Sequence, residues 1–83
     1  MELKRGRVVR SAAGHDKGGF FVVLQSDEQT VLLCDGRRRT LEKPKRKKQK
    51  HVFVTNTSLP ESSMETNRGI KKALRPFDEP SIS

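Results

Sequence analysis

The amino-acid sequence predicts an all-β domain, a small barrel or curled antiparallel sheet of about five strands, and three observations carry that expectation. Short apolar, β-branched runs recur along the chain at Val8 and Val9, Phe20 to Leu24, Val31 to Cys34, and Val52 to Val54. Glycine-bearing loops and turns separate them, at Gly14 to Gly19 and at Asp35 and Gly36. At 83 residues and 31% hydrophobic, the chain carries too little apolar surface for a layered α/β fold and enough for one small core.

Taken in order, Gly6 opens a first strand in which Arg7 and Arg10 flank the β-branched pair, so the arginines should face water or a ligand. Ala12 to Gly19 follows no strand or helix period. Its three glycines permit positive φ and close approach of another backbone, which marks a connecting loop with a contact role. Phe20 to Leu24 is apolar in both parities and reads as a strand covered on both faces. Ser26 to Gln29 is turn-like, and Val31 to Cys34 is a third strand. The Asp35 and Gly36 turn then presents Arg37, Arg38 and Arg39 and leads into a weak strand candidate, Thr40 to Glu42.

Lys43 to Lys50, KPKRKKQK, holds six basic residues in eight, with Pro44 blocking regular structure near its start. Dense like charge repels, so without a partner this segment is expected to be extended and mobile. His51 to Thr55 alternates and reads as the last strand. Beyond Asn56 the composition turns to Ser, Thr, Pro, Glu and Asn, so the expected division is a folded domain over 1–55 and a flexible tail over 56–83. Within the tail a short helix is expected over 68–75. Asn67 would cap it, Ile70, Ala73 and Leu74 share one face, Lys71, Lys72 and Arg75 sit toward its C-terminus, and Pro76 stops it. Alone it is too short to hold.

The net charge of +8 is unevenly placed: residues 1–50 hold fourteen Lys and Arg against six Asp and Glu, and residues 51–83 hold four against four. An excess of that size on so small a body attracts polyanions. No run is long and apolar enough for a membrane span or export signal, and the lone Cys34 agrees with a reducing compartment; the expected location is the cytoplasm, away from membranes. Catalysis finds no support. His15 and His51 stand far apart, neither has metal-ligand spacing, and Cys34 ends an apolar strand where a small buried residue is the ordinary occupant. Gly14 to Gly19 contains GxxxG and a Lys-Gly pair but lacks the spacing of a phosphate loop opening a helix. The chain is therefore expected to be no enzyme, to need no cofactor or metal, to take no small-molecule substrate and to act as a monomer.

The charge pattern points instead to phosphate contact. Lys17, Arg37, Arg38, Arg39, Lys43, Lys45, Arg46, Lys47, Lys48 and Lys50 all flank the same expected sheet, and one face carrying them would form a positive strip for a sugar-phosphate backbone. The bland alternative is a solvated segment that keeps the chain soluble. Arg10 and His15 join the strip as candidates from the strand and loop beside it. Phe20, Phe21 and Phe53 are expected in the core, since a chain with so few large residues needs them there, and base stacking is not the expected mechanism.

Gly6, Val8, Val9, Gly14, Lys17, Gly18 and the run Phe20 to Leu24 together resemble the KOW motif, a strand-loop-strand unit of small SH3-like barrels in ribosomal proteins and transcription elongation factors. The continuation CDGRRRTLEKPKRKKQKH is similar to bacterial KOW-domain RNA-binding proteins related to a family of large-subunit ribosomal proteins of archaea and eukaryotes. The resemblance covers residues 3–55. The helix near Ile70 to Leu74 is similar to the tail of these bacterial proteins, and the linker before it matches less. It implies an SH3-like barrel, RNA contact through Gly14 to Gly18 and the basic positions after Gly36, and structured ribosomal RNA as the partner. A protein-binding SH3-like adaptor of the transcription or translation machinery is the competing expectation, and DNA binding the third.

Overall fold

The computed structural model describes residues 3–78. They form five strands, β1 (Arg7–Ser11), β2 (Phe20–Ser26), β3 (Thr30–Cys34), β4 (Lys45–Lys48) and β5 (Val52–Ser58), followed by one helix, α1 (Asn67–Asp78). The strands make a single antiparallel sheet in the order β4, β3, β2, β1, β5. In a flat sheet the two edge strands would lie about 19 Å apart, four spacings of ~4.8 Å. They are nevertheless joined by the 3-10 turn Gln49–His51 alone. Even fully extended, the step from Lys48 to Val52 spans at most about 14 Å, so the sheet has to curl. Register shifts between Val23 and Gln25 and between Arg7 and Val9 supply the extra twist that curling requires.

Curling gives the sheet two apolar faces. Inside lie Leu3, Val9, Phe21, Val23, Val31, Leu33 and Val52. On the outside Val8, Val22 and Cys34 meet Met64, Ile70 and Leu74, with Phe20, Leu24, Leu41, Leu59 and Phe77 packed around them. The two-sided burial expected of Phe20 to Leu24 is therefore present, with Phe21 and Val23 inward and Phe20, Val22 and Leu24 outward.

Several expectations are corrected. The stretch Thr40 to Glu42 is a loop, and the fourth strand comes from the basic run, in which Pro44 precedes the strand rather than preventing it. Lys45 and Lys47 pair with Leu33 and Val31 and are half-buried, while Arg46 and Lys48 are exposed. Aliphatic stems on this face thus lie along the core side of the sheet, the Lys47 ammonium ends on the Ala13 carbonyl, and a lysine-rich edge resists pairing with another chain. The fold is mostly β rather than all-β, because the helix packs on the sheet instead of sitting in a flexible tail: Met64 is 2% exposed, and Ile70 and Leu74 are 0%. The helix also continues past Pro76, which gives up one hydrogen bond in the last turn while Phe77 settles against Phe20 with ring centroids 5.3 Å apart. Its cap is Thr66, whose Oγ1 accepts the Gly69 N–H at 3.0 Å. Asn67 is used elsewhere. Its Oδ1 accepts the Leu41 N–H at 2.7 Å and its Nδ2 donates to Glu42 Oε1 at 2.8 Å, tying the helix start to the loop before β4. Of the tail expected over 56–83, residues 79–83 lie outside the described residues.

Gly36 makes that union close. It has φ +77, and a Cβ there would stand 2.2 Å from the Asn67 carbonyl oxygen. Only glycine permits both the backbone conformation and the approach of the helix.

Candidate nucleic-acid interface

Two connections converge at the end of β2 that holds Phe20: the loop from β1 to β2 and the turn from β3 toward β4. The loop is folded on itself. Gly18 N–H donates to the Ser11 carbonyl at 2.8 Å, Gly19 N–H to Asp16 at 3.0 Å, and Lys17 N–H to Gly14 at 3.2 Å. Gly14 and Gly18 adopt φ of 78° and 88°, the left-handed conformations that the glycine density led us to expect. In the turn, Asp35 Oδ1 accepts the N–H groups of Arg37 and Arg39, each at 2.9 Å. An ion pair clasps the two together. Arg39 Nη2 donates to Asp16 Oδ2 at 3.1 Å, and the Asp16 side chain is only 6% exposed.

That geometry sorts the cations. His15, Lys17, Arg37 and Arg38 are exposed, and they line one cleft of about 500 Å3 together with Asp16, Asp35 and Phe21. Its two carboxylates are already engaged, Asp16 by Arg39 and Asp35 by backbone N–H groups, so the outward charge of the cleft is positive. Arg39 acts as the clasp rather than facing outward. Lys47 is also committed, since its Nζ donates to the Ala13 carbonyl at 2.7 Å and braces the loop beside Gly14.

The remaining candidates lie elsewhere. Arg46 bonds Thr30 Oγ1 at 3.0 Å and stands 3.7 Å from Asp27 Oδ2, at the turn between β2 and β3. Lys48 and Lys50 line a separate shallow cleft with Glu28, Gln29 and Thr30. The two turns are about 20 Å apart along β2 at ~3.3 Å per residue. Asp27 is held below the usual aspartate range by the Thr30 and Gln29 N–H groups, so this region carries fixed negative charge beside its lysines. Lys43 is exposed and Lys45 half-buried along the edge. Arg10 is exposed and pairs with Phe20 and Phe53 across the outer surface. Phe53 does not enter the core as expected; it is 61% exposed on edge strand β5. The single strip anticipated from the sequence is thus divided into a loop-and-turn cluster and a cluster near the β2 to β3 turn.

The structure adds cations that sequence reasoning passed over. Arg68, Lys71, Lys72 and Arg75 are exposed on α1 and, with Gly36, line a groove beside the turn. Arg37 lines the adjoining groove with Lys71, Arg75 and Asp78. Their signal was present as i, i+3, i+4, i+7 spacing, one stripe of a helix opposite Ile70 and Leu74. It carried no meaning until the helix was placed.

Chemically reactive groups are scarce. Burial pushes the Cys34 thiol up to about 11, which keeps it a neutral, inert core residue. Among the described residues no three of His, Cys, Asp and Glu converge to hold a metal ion, and no helix is long and apolar enough to cross a membrane. No protein-family model matches the chain, and no curated protein matches it.

Proposed function

We propose that this protein binds structured RNA, ribosomal RNA foremost, through phosphate and shape contacts, as its resemblance to KOW-type SH3-like barrels implies. On this reading it is a cytoplasmic, ribosome-associated binding protein and not an enzyme. One observation carries the proposal: a rigid loop and turn, clasped by Asp16 and Arg39, present Lys17, Arg37 and Arg38 around a single cleft whose carboxylates are already hydrogen-bonded. Cations on rigid supports meet phosphates with little loss of conformational freedom. An adaptor that grips an apolar peptide needs an exposed apolar groove. Phe53 is a lone exposed aromatic, and the cleft at the clasp is lined mainly by charged side chains, which favours RNA over the adaptor.

The test is anisotropy of a labelled stem-loop RNA, titrated with the protein over a salt series. Each phosphate contact contributes roughly 0.7 to 0.9 to the slope of log affinity against log salt. The triple replacement Lys17→Gln, Arg37→Gln and Arg38→Gln should flatten that slope by about two to three and leave the melting temperature unchanged. An unaltered slope would refute the cleft as the binding surface.

A further inference from the structure

Resting on the RNA reading above, we propose that the exposed stripe of α1 is a second phosphate-binding surface, joined through Arg37 to the loop-and-turn cleft, and that together they take base-paired RNA rather than a single strand. Arg37 lines both the cleft with Lys17 and Arg38 and the groove with Lys71, Arg75 and the single acid Asp78, so three cations face one carboxylate there. The two surfaces are held as one body. Asn67 bonds Leu41 and Glu42, and the helix start packs so closely on Gly36 that no side chain fits there. Arg68, Lys71 and Lys72 all point away from the buried Ile70 and Leu74. From Arg68 to Arg75 the stripe is about 10 Å long at 1.5 Å per residue, enough to meet more than one phosphate.

The form of RNA follows from what this side of the molecule lacks. Single-strand binders stack splayed bases on exposed aromatic rings. Here Phe21 is buried at 3% exposure, Phe20 is packed against Phe77 and exposed Phe53 lines neither the cleft nor the helix grooves, so the track offers no exposed phenyl ring and its one exposed ring is the small imidazole of His15 among Lys17, Arg37 and Arg38. Cations at fixed spacing on a turn and a helix read the phosphates and shape of a duplex.

The experiment compares two charge-matched double variants of the full chain, Lys71→Gln with Lys72→Gln and Lys48→Gln with Lys50→Gln, on a stem-loop RNA and on an unpaired oligonucleotide of equal length. The helix pair should flatten the salt slope for the stem-loop by one to two units and weaken binding at 0.1 M salt by roughly 5- to 60-fold, with an unchanged melting temperature. The Lys48 and Lys50 pair should have a clearly smaller effect. Equal losses from both pairs would mean that net charge alone is felt and would overturn the proposal. So would an unaltered slope for the helix pair while the cleft triple variant still loses affinity, an outcome that leaves the RNA reading standing. If neither the cleft nor the helix replacements change binding, both surfaces are refuted, whereas a parent chain that binds neither RNA refutes the RNA reading itself. Binding of the unpaired strand as tight as that of the stem-loop would refute the preference for paired RNA.

Discussion

Replacing Leu74 by Ala tests whether the C-terminal helix is part of the folding unit. Leu74 is fully buried beside Ile70, against Val8, Val22, Cys34 and Met64, which come from three different strands and the segment before the helix. Truncating a leucine at such a site costs about 2 to 5 kcal/mol, from lost transfer energy and from the cavity left behind. For 83 residues the whole stability expected is about 4 to 12 kcal/mol, so the loss is a large share of it. With an unfolding entropy near 2.1 cal/mol/K per residue, a loss of about 3 kcal/mol lowers Tm by roughly 17 °C. The chain has no Trp or Tyr, so the assay is far-UV circular dichroism against temperature and urea, with Lys72→Ala on the exposed face as control. That control should stay within about 0.5 kcal/mol of the parent. A Tm shift under about 4 °C for Leu74→Ala, or a helix signal that melts separately from the sheet, would refute a docked helix.

Three further outcomes follow from particular residues. Gly36→Ala should destabilise by more than 2 kcal/mol because strain at φ +77 adds to a clash with Asn67, whereas Gly18→Ala, at φ +88 with open space around it, should cost only the ~1 to 2 kcal/mol of left-handed strain; equal Tm losses would be inconsistent with the close approach. The raised Cys34 pKa means the folded state binds its proton more tightly than the unfolded chain. Its stabilising effect is therefore complete below pH 9 and declines as pH rises toward 11, by an amount on the order of 2 kcal/mol, and Cys34→Ala should remove that alkaline decline in urea melts. Native Cys34 should also react with a thiol reagent only at the rate of opening, so fast labelling at neutral pH would contradict its burial.

The sequence by itself determined the first three strands, the turns between and after them and the loop glycines at positive φ, because each is written in neighbouring residues: β-branched runs, the polar Ser26 to Gln29, the Asp35 and Gly36 pair, glycines clustered between strands. It also determined the two-sided burial of Phe20 to Leu24, since neither parity of that run is polar. Tertiary structure decided the rest. Lys45 to Lys48 has no apolar alternation and becomes a strand only because the open edge of β3 supplies its hydrogen bonds and the inner core accepts lysine stems. Ile70 and Leu74 mark an apolar stripe in the sequence, but whether it docks depends on an outer sheet face built by Val8, Val22 and Cys34, far away in the chain. The candidate site divides in the same way. Residue type identified Lys17, Arg37 and Arg38, whereas the withdrawal of Arg39 and Lys47 into structural bonds and the alignment of Lys71 with Arg37 follow from contacts between residues 23 to 34 or more positions apart. Local pattern records what a segment tends to form; which charges remain outward is set by the partners that folding brings to them.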